Sequence, residues 1–191
     1  MKINRAFGLM LVIAVATVHA SAQEWQSTVK TDPLSGKSST QYVLTGKFLT
    51  PPARWDGSDG SLPSISLRCD PTGHRGRISG RFIDGFILVN AVIDLTNGKA
   101  STVQYRLNDG KVQTAGELEV GTSTDFQALS LTSMLLSNIL WGHELPHKPH
   151  SSDQVHKFVI AVQQHLGGQI VMEFDMPDAE QVGAACETEY R

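Results

Sequence analysis

The chain has 191 residues, of which 40% are hydrophobic and 18% are charged, and its formal net charge is −3. No block of basic residues stands out, so nucleic acid and anionic membrane surfaces are poor candidates as partners. The length suits one domain with a substantial hydrophobic core.

Residues 1–22 have the three-part layout of a secretory signal peptide. Lys2 and Arg5 form a positive end, residues 7–18 are apolar and uncharged, and Ala20-Ser21-Ala22 is a small-residue cleavage site. The apolar run is too short for an ordinary membrane span. No cysteine stands at the expected cut, which argues against a lipid anchor.

We therefore expect cleavage after Ala22 and one exported β-rich domain over residues 23–191. Removing 22 of the 191 residues leaves 169 and lowers the 16 basic residues to 14 against 19 acidic residues, a net charge of −5. No later stretch is long and apolar enough to span a membrane. The expected location is the periplasm or the medium.

The first part of the mature chain alternates β-prone runs with turn signals. Asp32-Pro33-Leu34-Ser35-Gly36 is a turn, and the Pro- and Gly-containing residues 50–61 are a loop. Ile65, Leu67 and Cys69 alternate with polar residues, which predicts a half-buried strand with Cys69 facing inward. The predicted strands are 23–30, 39–48, 64–69, 75–82 and 86–95, with Asp84-Gly85 between or inside the last two.

The second part adds hairpins and two short helices. Asn97-Gly98 is a strong hairpin signal, and residues 103–107 alternate in polarity before a turn at Asn108-Asp109-Gly110. Apolar residues at helical spacing predict a helix over 133–141, ended by Gly142. The remaining predictions are a short strand over 126–131, a Pro/His loop over 142–153, a hairpin of 155–165 with 169–175, and a helix over 178–186 behind Pro177.

Strands separated by turn signals, with only two small helices, predict a mainly β fold. We expect a single-domain β-sandwich or partly open barrel with two short helices and one disulfide, rather than an alternating βαβ fold.

The two cysteines, Cys69 and Cys186, both lie in the mature part. In an oxidising compartment two thiols most often pair, and the bridge would join the last helix to an early strand. The alternative is two buried free thiols. A catalytic redox role is disfavoured because there is no C-x-x-C pair.

His143-Glu144-Leu145-Pro146-His147 spells the H-E-x-x-H pattern of zinc peptidases. That pattern works on a helix, which places both histidines on one face. Pro146 lies between the histidines and opposes the helical conformation there. The zinc hydrolase interpretation is therefore disfavoured, and no enzyme is expected.

A looser metal site remains open in the same loop. Histidines there could collect Zn²⁺ or Cu²⁺, and the alternative is a His-rich polar surface loop. The candidate ligands are His143, His147, His150 and His156. No P-loop or dinucleotide fingerprint is present, so no cofactor is expected.

Two further features are candidate interaction sites. Arg68, Arg75, Arg77 and Arg81 form a local basic cluster that could recognise a phosphate or carboxylate, or line a solvated strand face. Trp55, in the Pro/Gly loop, is the best single candidate for a contact residue, although such a tryptophan also packs over sheet edges.

The order of these features resembles the VasI-like periplasmic proteins associated with type VI secretion. The resemblance covers most of the mature chain, and it supports the disulfide and a β-dominated domain while implying no catalytic residues. Residues 138–156 are enlarged relative to that pattern. The motifs that carry the resemblance are Trp25, the run 32–38, Leu67-Arg68-Cys69, residues 103–111, Ser123-Thr124-Asp125, and Phe174-Asp175-Met176 before a helix reaching Cys186.

Three functional hypotheses follow. The first is a non-enzymatic exported accessory or interaction protein of the cell envelope, with an envelope or secretion-machine protein as its partner. The second is a periplasmic metal- or small-anion-binding protein that uses the histidine loop or the arginine cluster. The third is a zinc hydrolase.

Overall fold

The computed structural model describes residues 23–53, 57, 62–69, 77–78, 81–89, 91–122, 127–141, 154–165 and 167–188. Within these ranges the chain forms twelve strands and two helices. The strands are β1 (Gln26–Thr31), β2 (Ser38–Thr45), β3 (Lys47–Thr50), β4 (Ser64–Cys69), β5 (Arg77–Ile78), β6 (Arg81–Val89), β7 (Leu95–Thr96), β8 (Lys99–Leu107), β9 (Gln113–Thr122), β10 (Gln127–Ser130), β11 (Lys157–Gln163) and β12 (Gln169–Asp175); the helices are α1 (Ser133–Trp141) and α2 (Ala179–Thr188).

All twelve strands belong to one antiparallel sheet that curls into a half-barrel. The strand order is β1-β2-β4-β6-β10-β9-β8-β11-β12-β3, and β5 and β7 add short pairs to β6 and β8. The prediction of a mainly β fold with two short helices and one disulfide is confirmed, and of the two architectures expected, the partly open barrel is the one observed.

A single residue, Gly46, joins two distant positions of the strand order. β2 is second in the order and β3 is last, yet Gly46 alone separates them. Consecutive Cα atoms are only about 3.8 Å apart, so the two ends of the sheet must meet here. The curl of the half-barrel follows from this joint.

Gly46 also lies close to the Phe174 ring and to the backbone of β12. Its N–H donates to the Pro63 carbonyl oxygen at 2.7 Å. A Cβ atom at this position would lie 2.5 Å from the Phe174 ring and 2.8 Å from the Glu173 carbonyl oxygen. Only glycine fits, because the Glu173 backbone cannot move without disturbing β12.

Several of the predicted strands have wrong bounds. The strand predicted over 75–82 does not end at residue 82, because β6 runs from residue 81 to residue 89 through Asp84-Gly85. The single strand predicted over 39–48 is broken at Gly46 into β2 and β3. The strand predicted over 86–95 ends at Val89 as part of β6, because the chain then crosses toward β11. There Asp94 N donates to the Gln163 carbonyl oxygen at 2.9 Å, and Ile93 forms an isolated bridge with Gln164.

Helix α1 packs closely on β6 at another glycine. Gly85 lies inside β6, and an added Cβ there would overlap the Leu136 side chain of α1. The Gly85 carbonyl oxygen also accepts a hydrogen bond from Leu131 N at 2.8 Å, just before the helix. The helix predicted over 133–141 is confirmed with those bounds.

One hydrophobic cluster fills the concave side of the sheet. Ile65, Leu67 and Cys69 of β4 are fully buried, as their alternation predicted. On the other side of the half-barrel Phe158 and Phe174 are register partners on β11 and β12, with stacked rings whose centroids are 6.0 Å apart. The described part of the chain therefore has a continuous core that runs from Leu44 to Cys186.

An ion pair fastens the last strand to its neighbour. Lys47 Nζ lies 2.7 Å from Glu173 Oε1, and the two residues are Cα partners across β3 and β12. The Glu173 side chain is 10% exposed and the Lys47 side chain is 51% exposed. The hydrogen bond to Glu173 raises the pKa of Lys47 above its usual value, against the desolvation that lowers it.

We expect Gly46→Ala to destabilise the protein by about 1–3 kcal/mol, because the new methyl group overpacks the joint. Gly121→Ala is the matched control, since its nearest contact, the Ala128 Cβ, is an ordinary 4.0 Å away. Urea unfolding followed by tryptophan fluorescence measures both changes. Equal midpoints for the two variants would contradict the steric role of the joint.

The Lys47–Glu173 pair predicts a loss of stability at alkaline pH. Because the folded pKa of Lys47 is raised, its contribution is complete below the unfolded value of about 10.4 and disappears as pH rises through the folded value. Half exposure of Lys47 limits the contribution to less than about 1 kcal/mol. Unfolding midpoints from about pH 8 to 11 should fall more steeply for the parent than for Glu173→Gln; parallel curves would count against the pair.

Candidate functional site

A pocket of about 480 Å³ opens between the start of the described chain and the last helix. We call it the Trp25 pocket. It brings together the segment before β1, one residue of β2, and the first turns of α2 with the two residues that precede them. Its lining residues are Gln23, Glu24, Trp25, Tyr42, Pro177, Asp178, Gln181, Val182 and Ala185.

Two hydrogen bonds hold the first segment against the end of β12. Trp25 Nε1 donates to the Pro177 carbonyl oxygen at 2.9 Å. Asp175 N donates to Gln23 Oε1, also at 2.9 Å. Each bond joins residues 152 positions apart in the chain. This wall of the pocket is formed by residues 23–25, which precede β1 and belong to neither a helix nor a strand.

The opposite wall is α2, which the disulfide fastens to the sheet. Cys69 and Cys186 are bonded, with Cα atoms 5.4 Å apart and a sequence separation of 117. Cys186 directly follows the lining residue Ala185, and Cys69 ends β4, the strand that pairs with β2 beside Tyr42. The predicted disulfide is confirmed, and it fixes the distance between the helix and the strand that carries Tyr42.

Asp178 shapes the entry to α2. It adopts a φ of 53°, a left-handed conformation that aspartate tolerates better than most residues. Its Oδ1 accepts a hydrogen bond from Gln181 Nε2 at 3.0 Å, and its carbonyl oxygen accepts one from Gln181 N at 2.9 Å. The turn holds Pro177 and Asp178 at the rim of the pocket.

The described lining of the pocket is aromatic, apolar and acidic. An indole ring and a phenol ring supply flat apolar surface, and Val182 and Ala185 extend it. Glu24 and Asp178 add negative charge, and among the described lining residues none is basic. The pocket therefore fits an apolar or cationic group.

A second cavity of about 330 Å³ lies over β6, β9 and α1. Its charged lining residues are Asp84, Lys99, Glu117 and Glu119. Lys99 Nζ is 3.5 Å from Glu117 Oε2, and both side chains are well exposed. Such a pair contributes less than about 1 kcal/mol and is screened by salt, so it does not fix a geometry for chemistry.

Three of the four arginines of the predicted cluster lie on strands that are neighbours in the sheet. Arg68 is exposed on β4 and lies across from Asp84 of β6. Arg77 is on β5 and Arg81 on β6, where the register pairs Arg77 with Phe82 and Arg81 with Ile78. The three positions therefore occupy three neighbouring strands, and Arg75 lies outside the described residues.

Of the four candidate histidine ligands, His156 is the one that lies within the described residues. His156 is exposed, its N–H donates to Asn108 Oδ1 at 2.9 Å, and its Nδ1 is 3.4 Å from the Gln154 carbonyl oxygen. His143, His147 and His150 lie outside the described ranges, as does Trp55. Among the residues that are described, no group of three His, Cys, Asp or Glu side chains is placed to hold a metal ion.

Sequence reasoning did not find the Trp25 pocket. It placed residues 23–25 in a strand, whereas β1 begins at Gln26 and Trp25 has a half-buried side chain that packs against the core. Nothing in the local pattern connects residues 23–25 with residues 177–185, because the contact spans most of the chain. The only available signal was a tryptophan close to the predicted cleavage site.

Comparison of the chain with protein-family models, curated proteins and solved structures finds no match. In the part of the chain that the structure describes, neither helix has the length and apolar character needed to cross a membrane. The class that the fold and site define is a disulfide-bonded, mainly β half-barrel with an open aromatic pocket.

Reduction of the disulfide should lower the free energy of unfolding by about 5 kcal/mol, the chain-entropy value for a loop of this length. Unfolding of one preparation in urea with and without reductant measures the loss without changing a side chain. The Cys69→Ala/Cys186→Ala variant should match the reduced protein. Equal midpoints for the oxidised and reduced protein would show that the bridge does not stabilise the fold.

Proposed function

We propose that the chain is a non-enzymatic exported accessory or interaction protein of the bacterial cell envelope, associated with type VI secretion. The Trp25 pocket is the observation that carries this proposal. Both of its walls depend on features that belong to export, the first residues after the expected cleavage site and a helix held by a disulfide.

The position of Gln23 supports a link between processing and binding. Gln23 lines the pocket and is fixed through its side chain to Asp175 N. Cleavage after Ala22 would make Gln23 the first residue of the mature chain, so the new N-terminus would belong to a residue that lines the pocket.

The disulfide supports a periplasmic or secreted location. Disulfides persist in oxidising compartments and are rare in the cytosol. Because Cys186 follows Ala185 in the pocket wall, oxidation also fixes the binding surface. The expected partner is an envelope or secretion-machine protein that meets the mature, oxidised chain.

The pocket lining supports a protein partner with a particular surface. Tryptophan and tyrosine rings are the side chains that most often carry binding energy at interfaces. Glu24 and Asp178 at the rim favour a basic neighbour beside the apolar contact. An apolar side chain flanked by Lys or Arg on an envelope protein fits both features.

A periplasmic small-anion- or metal-binding protein is the second candidate. The anion version is supported by the sheet order, which places Arg68, Arg77 and Arg81 on the adjacent strands β4, β5 and β6. Arginine is well suited to phosphate and carboxylate because it presents several donors in one plane. The metal version, on the loop from His143 to His156, stays a prediction.

The test is site-specific photo-crosslinking of the tagged mature protein in the living cell envelope. A photoreactive residue at Gln181, an exposed position of the pocket, should capture a specific envelope or secretion-machine protein. The same residue at Val112, which is exposed outside the pocket, is the matched control. Trp25→Ala should reduce capture at Gln181 by at least about tenfold, in line with the loss of an interface anchor.

The Val112 position and the Trp25→Phe variant are the two controls that decide how the result is interpreted. Trp25→Phe keeps an apolar ring but cannot donate to the Pro177 carbonyl oxygen, so it separates the aromatic contact from the hydrogen bond. Equal capture from both positions, or none from either, would count against the interaction proposal. Binding of phosphate or Zn²⁺ in equilibrium dialysis would then favour the second candidate.

A further inference from the structure

Strand β1 is exposed along its whole length. All six of its residues are exposed, and it stands at one end of the strand order, where β2 is its only partner among the described strands. A strand without buried side chains gains no stabilisation from the core. An exposed edge strand of this kind is a template on which another strand can pair.

The free edge of β1 presents a regular set of backbone groups. Asp32 N donates to the Lys37 carbonyl oxygen at 2.8 Å, and the register continues without a shift to Gln26 opposite Val43. Because hydrogen-bonded and non-bonded pairs alternate along an antiparallel ladder, residues 26, 28 and 30 bond to β2. The N–H and C=O groups of Ser27, Val29 and Thr31 therefore point away from β2.

This edge lacks most of the devices that prevent strand pairing. β1 contains no proline, its register with β2 has no bulge, and Lys30 is its only charged residue. β3, at the other end of the strand order, has only four residues and uses Lys47 in the ion pair with Glu173. β1 is thus the longer and less protected of the two edges.

We propose that β1 pairs with β1 of a second copy of this chain across a two-fold axis, which joins two half-barrels into one continuous sheet. The pairing is antiparallel and centred on Val29. Val29 lies opposite Val29 of the partner subunit, and Ser27 lies opposite Thr31 of the partner subunit. This register satisfies all six outward N–H and C=O groups on each strand.

Three properties of β1 favour a second copy over an unrelated strand. The outward groups are spaced evenly about Val29, so the two-fold axis pairs each of them with its equivalent. Val29, the one large apolar side chain of the strand and 64% exposed, meets its own copy on the axis. Lys30 lies opposite Thr28 of the partner subunit, so like charges do not face each other.

The dimer goes beyond the proposed partner binding and does not depend on it. None of the pairing residues lines the Trp25 pocket, so the two surfaces can be tested separately. The mature, oxidised protein, residues 23–191, should sediment as a dimer in analytical ultracentrifugation, with dissociation on dilution. A monomer at every concentration would overturn the proposal and leave the edge to a strand of another protein.

Val29→Pro tests the edge without breaking the hairpin. The Val29 N–H points outward, so proline removes a bond to the second copy and none to β2. We expect the dimer to weaken by about tenfold or more, since two symmetric hydrogen bonds are lost. Leu34→Ser is the control, because Leu34 is 96% exposed on the same hairpin but lies outside the pairing register.

Charge swapping tests the register itself. Val29→Lys and Val29→Glu should each weaken the dimer about fivefold or less, and an equimolar mixture should restore it as a heterodimer. The same two changes at Ser27 should give no rescue on mixing, because Ser27 faces Thr31 and not its own copy. Three outcomes would each overturn the proposal. The first is rescue of the dimer when the two Ser27 variants are mixed, and the second is an unchanged dimer for Val29→Pro with the unfolding midpoint of the parent. The third is the formation of open assemblies larger than a dimer.

Discussion

The single-residue joint at Gly46 is the constraint on which the rest of the structure depends. It forces two ends of a long antiparallel sheet to meet, so the sheet must curl and enclose its concave face. The same residue lets the backbone approach the Phe174 ring and the Glu173 carbonyl oxygen. The ion pair between Lys47 and Glu173 then fastens the strand that begins at the joint. A bulkier residue at this point would separate the closing strands and open the core.

Helix α2 connects the closed sheet with the surface that we propose to be functional. The disulfide between Cys69 and Cys186 holds the helix on the sheet, and the residues just before Cys186 form one wall of the Trp25 pocket. The other wall is the segment that begins at Gln23, held by two hydrogen bonds to residues 175 and 177. The pocket is thus built from the two ends of the described chain, and the disulfide holds one of its walls on the sheet.

The local features of the fold were predictable, whereas the long-range ones were not. The alternation of Ile65, Leu67 and Cys69 predicts their common buried face, and the structure confirms it. The helix over residues 133–141 was readable from apolar spacing. The break at Gly46 was missed because residues 39–48 keep the composition of one strand. The break is imposed by Phe174 and Glu173, which lie more than a hundred residues later.

By itself, the sequence determined the mainly β class, the positions of most strands and turns, and the two cysteines that form the bridge. The class, the strands and the turns follow from patterns of two to ten neighbouring residues, which local sterics and side-chain alternation translate directly into structure. The bridge was predictable although it spans 117 positions, because the chain has just two cysteines to pair. Only the tertiary structure decided that the barrel stays half open, that Trp25 meets Pro177, and that β1 is left at an edge. Strand order and pocket walls arise from contacts between residues far apart in the chain, and local periodicity carries no information about which distant partner a strand will choose.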